Sequence, residues 1–178
     1  MRDGRHLPVN DDVMTTIPKA AALFAALVLA VSAASSATIQ EKAMTAHHAT
    51  GPFEVKLTPE PASAAAEVAG LGRMSLDKQF HGALEATSRG EMIAFRSTTP
   101  GSAGYVAMET VRGTLDGRDG TFVLQHSSTM ERGAPTQSIT VVPDSGTGAL
   151  TGLAGRMVID IAPGGAHSYR FDYTLPAR

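Results

Sequence analysis

Cysteine and tryptophan are missing from all 178 residues, and aromatic side chains of any kind make up only 5% of them. Without cysteine there is no disulfide framework, no thiol nucleophile and no lipid-bearing cysteine behind an export leader. A surplus of one charge is missing too. The formal net charge is −2, and beyond residue 37 there are 12 Lys and Arg against 14 Asp and Glu, with neither sign clustered. That leaves no electrostatic footprint for nucleic acid or for an anionic membrane surface. The signatures HExxH and GxSxG do not occur either, so the familiar hydrolase motifs are excluded. No apolar run reaches the roughly 20 residues that a membrane-spanning helix needs.

The longest apolar run, Ala20 to Val31, has 12 residues; Lys19 precedes it and Ser32-Ala33-Ala34-Ser35-Ser36-Ala37 follows. A charged lead, a short apolar stretch and a small-residue tail are the parts of a secretory signal peptide, with cleavage after Ala37 or Ala34. Asp11 and Asp12 are foreign to such a lead, so Met14 offers an alternative start. The reading is therefore an export leader over 1–37, a flexible polar lead over 38–49 and one folded domain over 50–178. After cleavage nothing holds the domain to the membrane, and its destination is the periplasm or the exterior.

Within that domain no apolar stripe keeps helical spacing. Short β-like runs separated by glycine, proline and aspartate occupy 51–57, 67–80, 82–97, 104–113, 121–130, 136–142, 156–161 and 167–175, and only the Ala-rich stretch from Pro61 to Ala69 suggests a helical turn. The last run is the clearest. His167, Tyr169, Phe171, Tyr173 and Leu175 alternate with Ser168, Arg170, Asp172 and Thr174, which sends an aromatic set and a polar set to opposite faces. Turn signals fall at Thr99-Pro100-Gly101, Asp116-Gly117, Asp119-Gly120, Arg132-Gly133, Pro143-Asp144 and Pro163-Gly164-Gly165, while Arg89-Gly90 suggests a bulge. Short connections make neighbouring strands antiparallel, and a sheet this large curls or closes to hide its edges. The fold class expected is all-β, an eight-stranded antiparallel meander barrel.

Two segments share a glycine spacing. Gly113, Gly117 and Gly120 with Leu115 and the pair Phe122-Val123 match Gly148, Gly152 and Gly155 with Leu150 and Met157-Val158. A phosphate-binding loop would need a helix behind the glycines, but strands follow here. Both are read as turns that need positive φ or close backbone approach.

The segments Gly104 to Met130, Val141 to Ile159 and His167 to Tyr173, with GPFEVKL (Gly51 to Leu57) and FHG (Phe80 to Gly82), resemble the bacterial family catalogued as domain of unknown function 3224. The resemblance covers the chain from Ala49 onward and is loose across 58–79. It implies a barrel like that of allene oxide cyclase and the plant dirigent proteins, whose glycine motif is similar to Ser145 to Gly155 here. It implies no reaction. An export leader departs from the usual pattern of the family.

A barrel of eight strands is either filled by side chains or holds one small ligand. On 121–130, Phe122, Leu124 and His126 share a face. On 104–113, Tyr105, Ala107, Glu109 and Val111 share one, but both faces of that run are partly apolar and its orientation stays open. If the two sets face one interior, His126 beside Glu109 forms a candidate acid–base pair. Tyr105, Phe122, Leu124, Tyr169 and Phe171 would then line a ligand site. The alternative is a histidine bonded to backbone and a glutamate paired with Arg112 or water. No metal is expected, since His47 and His48 are adjacent and neither His81 nor His167 has a ligand-spaced neighbour; no cofactor is expected either. Three readings follow: a carrier of a small apolar molecule, a cofactor-free isomerase or cyclase using His126 and Glu109, and a filled structural or interaction barrel that self-associates through its outer face.

Overall fold

The computed structural model describes residues 43–177. Period-2 burial runs along eight strands: β1 Met44–Glu60, β2 Gly72–Phe80, β3 Leu84–Arg96, β4 Ala103–Leu115, β5 Arg118–Glu131, β6 Ala134–Val141, β7 Ala154–Ile161 and β8 His167–Pro176. Each pairs antiparallel with the next, and β1 pairs with β8, so the sheet closes into a barrel with no free edge. The single α-helix of the described residues, α1 (Ala64–Val68), lies inside the stretch read as a helical turn and is capped by the Ser63 side chain accepting from the Ala66 N–H.

The leader read over 1–37 lies outside the described residues. Residues 44–49, read as part of a polar lead, are strand instead, because β1 begins at Met44. Its first part pairs with β8 (Met44↔Pro176 to Phe53↔His167) and its second with β2 (Phe53↔Phe80 to Glu60↔Arg73). His47 and His48 hide that strand from a hydropathy reading, but His47 stacks on Tyr173 and His48 bonds to Asp172, so both are strand residues facing partners on β8.

Two glycines were read as loop features and are strand residues. Gly90 stays in register with Glu109, and a Cβ there would lie 2.0 Å from the Met108 carbonyl oxygen, so the glycine permits a close β3–β4 approach and makes no bulge. Gly120 sits in β5, where a Cβ would meet the Thr147 carbonyl oxygen at 2.1 Å. That contact joins the two glycine segments: the connection between β6 and β7, with its 3₁₀ turn Gly148–Leu150, folds back under the barrel. Thr121 and Val123 donate their backbone N–H groups to the Thr147 and Ser145 hydroxyls, and Leu150 and Leu153 are buried against the core. One end of the barrel is thereby plugged.

Above the plug Phe53, Phe80, Phe122, Tyr169 and Phe171 pack into one apolar cluster with Leu84, Leu115 and Leu124. The Tyr169 hydroxyl accepts from the Leu84 N–H at 2.9 Å and donates to the His81 carbonyl at 3.0 Å, which satisfies a buried phenol. Toward the other end, inward positions change from buried to half-exposed on nearly every strand, as in Leu124 and His126 followed by Ser128 and Met130 on β5.

Candidate functional site

The open orientation of β4 is resolved inward: Ala107, Glu109 and Val111 are buried, and Val106, Met108 and Thr110 are exposed. On β5 His126 points inward with Phe122 and Leu124. The expected pair therefore forms. His126 Nε2 lies 2.8 Å from Glu109 Oε1. Two further groups, unexpected from the sequence, complete it. Lys78 Nζ donates to the same Oε1 at 2.8 Å, and Ser88 Oγ donates to Oε2 at 2.6 Å. All four residues are buried, Glu109 at 1% and Lys78 at 5% exposure. The signal for Lys78 was its alternation with Leu76 and Phe80, which places all three on the inner face of β2. Arg112, the alternative partner, is exposed on the outer face.

Burial alone would raise the Glu109 pKa, but the hydrogen bond from His126 and the charge of Lys78 outweigh it and hold the carboxyl at about 2. Glu109 is thus an ionised acceptor, and Nε2 of His126 carries the hydrogen that it receives. The Lys78 ammonium also stands 5.5 Å from the centre of the Phe53 ring and 5.7 Å from that of Phe80, where the ring faces add cation–π attraction. A cation, an anion and two more donors give a closed polar layer across the barrel, with the aromatic cluster beneath it.

Beyond that layer the barrel is hollow. A cavity of about 600 Å³ opens at the end opposite the plug, lined by inward positions of β1 to β7 including Leu57, Met74, Met92, Tyr105, Met130 and Ile161. The β3–β4 connection, from Ser97 to Ser102, forms part of its rim. Tyr105 stands between cavity and polar layer; burial, together with the nearby Glu109 charge, outweighs a hydrogen bond to Ser128 and keeps its phenol above its ordinary pKa. Of the residues expected to line a ligand site, Tyr105 does. Phe122, Leu124, Tyr169 and Phe171 instead fill the plugged half, each at 1% exposure or less, because the β6–β7 connection seals their end. Sequence alternation marked them as inward and could not say toward which end the barrel is filled. Among the described residues no three His, Cys, Asp or Glu side chains stand together as a metal ion would require.

A family model described as "Protein of unknown function (DUF3224)" matches residues 49–173. The chain belongs to that family. A solved structure from the DUF3224 family, a protein with unknown function from Shewanella oneidensis MR-1, is 52% identical, covers 76% of this chain and 100% of its own, and superposes with a TM-score of 0.67. No curated protein matches. The matched region of this DUF3224 chain takes in the whole polar layer and every cavity-lining residue named above.

Proposed function

We propose that this DUF3224 protein is an exported carrier that binds one small apolar molecule in the open mouth of its barrel. The observation that carries the reading is the split interior: one half packed with aromatic side chains, the other a cavity of about 600 Å³ whose wall is mostly apolar, with methionine, leucine and isoleucine beside Tyr105, Ser128 and Gln137. That volume is in the range of small-molecule sites. Leu57, Met130 and Ile161 stand 47%, 40% and 64% exposed there, a cost in apolar hydration that an apolar occupant would relieve. Methionine suits such a wall because its unbranched thioether adapts to varied shapes. Support for export is the leader read over 1–37.

A cofactor-free isomerase or cyclase, the activity that kinship with allene oxide cyclase would suggest, has less support. Neither Glu109 nor His126 lines the cavity, and the Glu109 carboxylate already accepts from three donors. A general base needs hydrogen-bond reach to the proton it removes. The test of the carrier reading is titration with Nile red, whose emission rises in an apolar site. One dye per barrel should bind, and Met92→Arg, which places a charge on the cavity wall, should abolish the binding with the circular dichroism spectrum retained. No binding to the native protein, or equal binding to Met92→Arg, would overturn the reading.

A further inference from the structure

The cavity wall carries one charge. Arg96, at the end of β3, is the only ionised side chain among the residues that line the cavity, and no Asp or Glu accompanies it. Arg73 and Arg170 each hold a carboxylate, Glu91 at 2.8 Å and Asp160 at 3.0 Å. The arginines that, like Arg96, hold none among the described residues, Arg112, Arg118 and Arg156, lie outside the cavity lining. Arg96 makes neither an ion pair nor a side-chain hydrogen bond among the described residues. Its neighbour Ser97 is occupied within its own turn, bonding to Thr99 through both the hydroxyl hydrogen and the hydroxyl oxygen. The guanidinium at the rim is therefore an uncommitted set of donors, always charged and shaped for a carboxylate.

The charges beneath the cavity do not alter this. Lys78 is neutralised by Glu109 at 2.8 Å and lies below Tyr105, outside the cavity lining. An occupant thus meets mostly apolar walls, with Tyr105, Ser128 and Gln137 as neutral polar groups among them, and a cation at its outer end. From Arg96 at the rim to Met92, the deepest lining residue of β3, the strand advances four residues, about 13 Å, or about 10 Å along the axis of a barrel with the usual tilt. That depth matches an extended alkyl chain of about eight carbons.

We infer that the ligand class is a medium-chain carboxylate, its alkyl chain in the cavity and its head on the Arg96 guanidinium. The inference rests on the carrier reading above and adds the anionic head to it. Displacement of Nile red by octanoate and by octanol separates the two claims, because the molecules share a chain and differ in charge. Octanoate should displace the dye more strongly than octanol. Arg96→Gln should weaken octanoate about tenfold, the loss of one charge-assisted contact, while leaving octanol where it was. Arg96→Lys should restore part of the difference, and added salt should weaken octanoate alone. If octanol displaces the dye and octanoate does not, or if Arg96→Gln leaves octanoate unchanged, the anionic head is wrong and the carrier reading stands. If dye binds and neither molecule displaces it, the medium-chain carboxylate is wrong; if no dye binds at all, the carrier reading fails and takes this inference with it.

Discussion

Glu109 accepts from an ammonium, an imidazole and a hydroxyl while almost no water reaches it. Ion pairs this deep owe their stability to completeness: removing one member leaves a buried charge unmatched, at a cost of about 3–5 kcal/mol. Glu109→Gln should therefore destabilise the barrel by about that amount near neutral pH, by stranding the Lys78 ammonium. The acid response follows from the same group. Its folded pKa of about 2 lies below the ordinary 4.5, so the folded state holds a proton more weakly than the unfolded chain. The resulting stabilisation is fully present above about pH 5 and is lost as pH falls toward 2, a change of about 3 kcal/mol for this one group. Urea denaturation of native protein and Glu109→Gln at a series of pH values checks it. The gap between the two should narrow across that window, and a constant gap would show that Glu109 is not the ionised partner of Lys78.

The weakest ladder of the barrel lies between β6 and β7, where backbone register is kept only over Ile139↔Met157 and Thr140↔Arg156. Further toward the open end a side chain takes over: Gln137 accepts from the Ile159 N–H at 2.8 Å and donates to the Ile159 carbonyl at 3.4 Å. Gln137→Leu should remove this bridge at a cost of about 1–2 kcal/mol and speed amide exchange at Ile159 while the β3–β4 amides keep their protection. Unchanged exchange at Ile159 would mean that the seam holds without it. Elements of this kind also mark how far the sequence could be read. Strict alternation made β8 legible, and the same rule applied to Leu76, Lys78 and Phe80 would have exposed the lysine. On β4 the rule gave no answer, since Val106 and Met108 are apolar yet exposed at 55% and 49%. The start of β1 was hidden for a different reason. Its pairing with β8 joins residues more than a hundred positions apart, and no local pattern over His47 and His48 records a partner so distant.

Taken as one object, the barrel divides its interior into a plug, an aromatic layer, a charged layer and a hollow mouth, and the division assigns stability and binding to opposite ends. The β6–β7 connection supplies Leu150, which is 1% exposed and packs against Gly120. Met92 at the mouth is half-buried and borders the cavity. Cutting back a fully buried leucine removes its transfer energy and leaves a void, about 2–5 kcal/mol in all, whereas a side chain already bordering an open space has little packing to lose. Leu150→Ala should therefore lower the urea midpoint substantially yet leave Nile red affinity unchanged below its transition. Met92→Ala should cost under about 1 kcal/mol and change dye affinity instead. Equal destabilisation by both would mean that the mouth is packed as tightly as the plug. The crossed pattern would mean that the polar layer of Lys78, Glu109 and His126 works as a floor: it closes the apolar core below and lets the mouth vary in shape and occupancy without unfolding the protein.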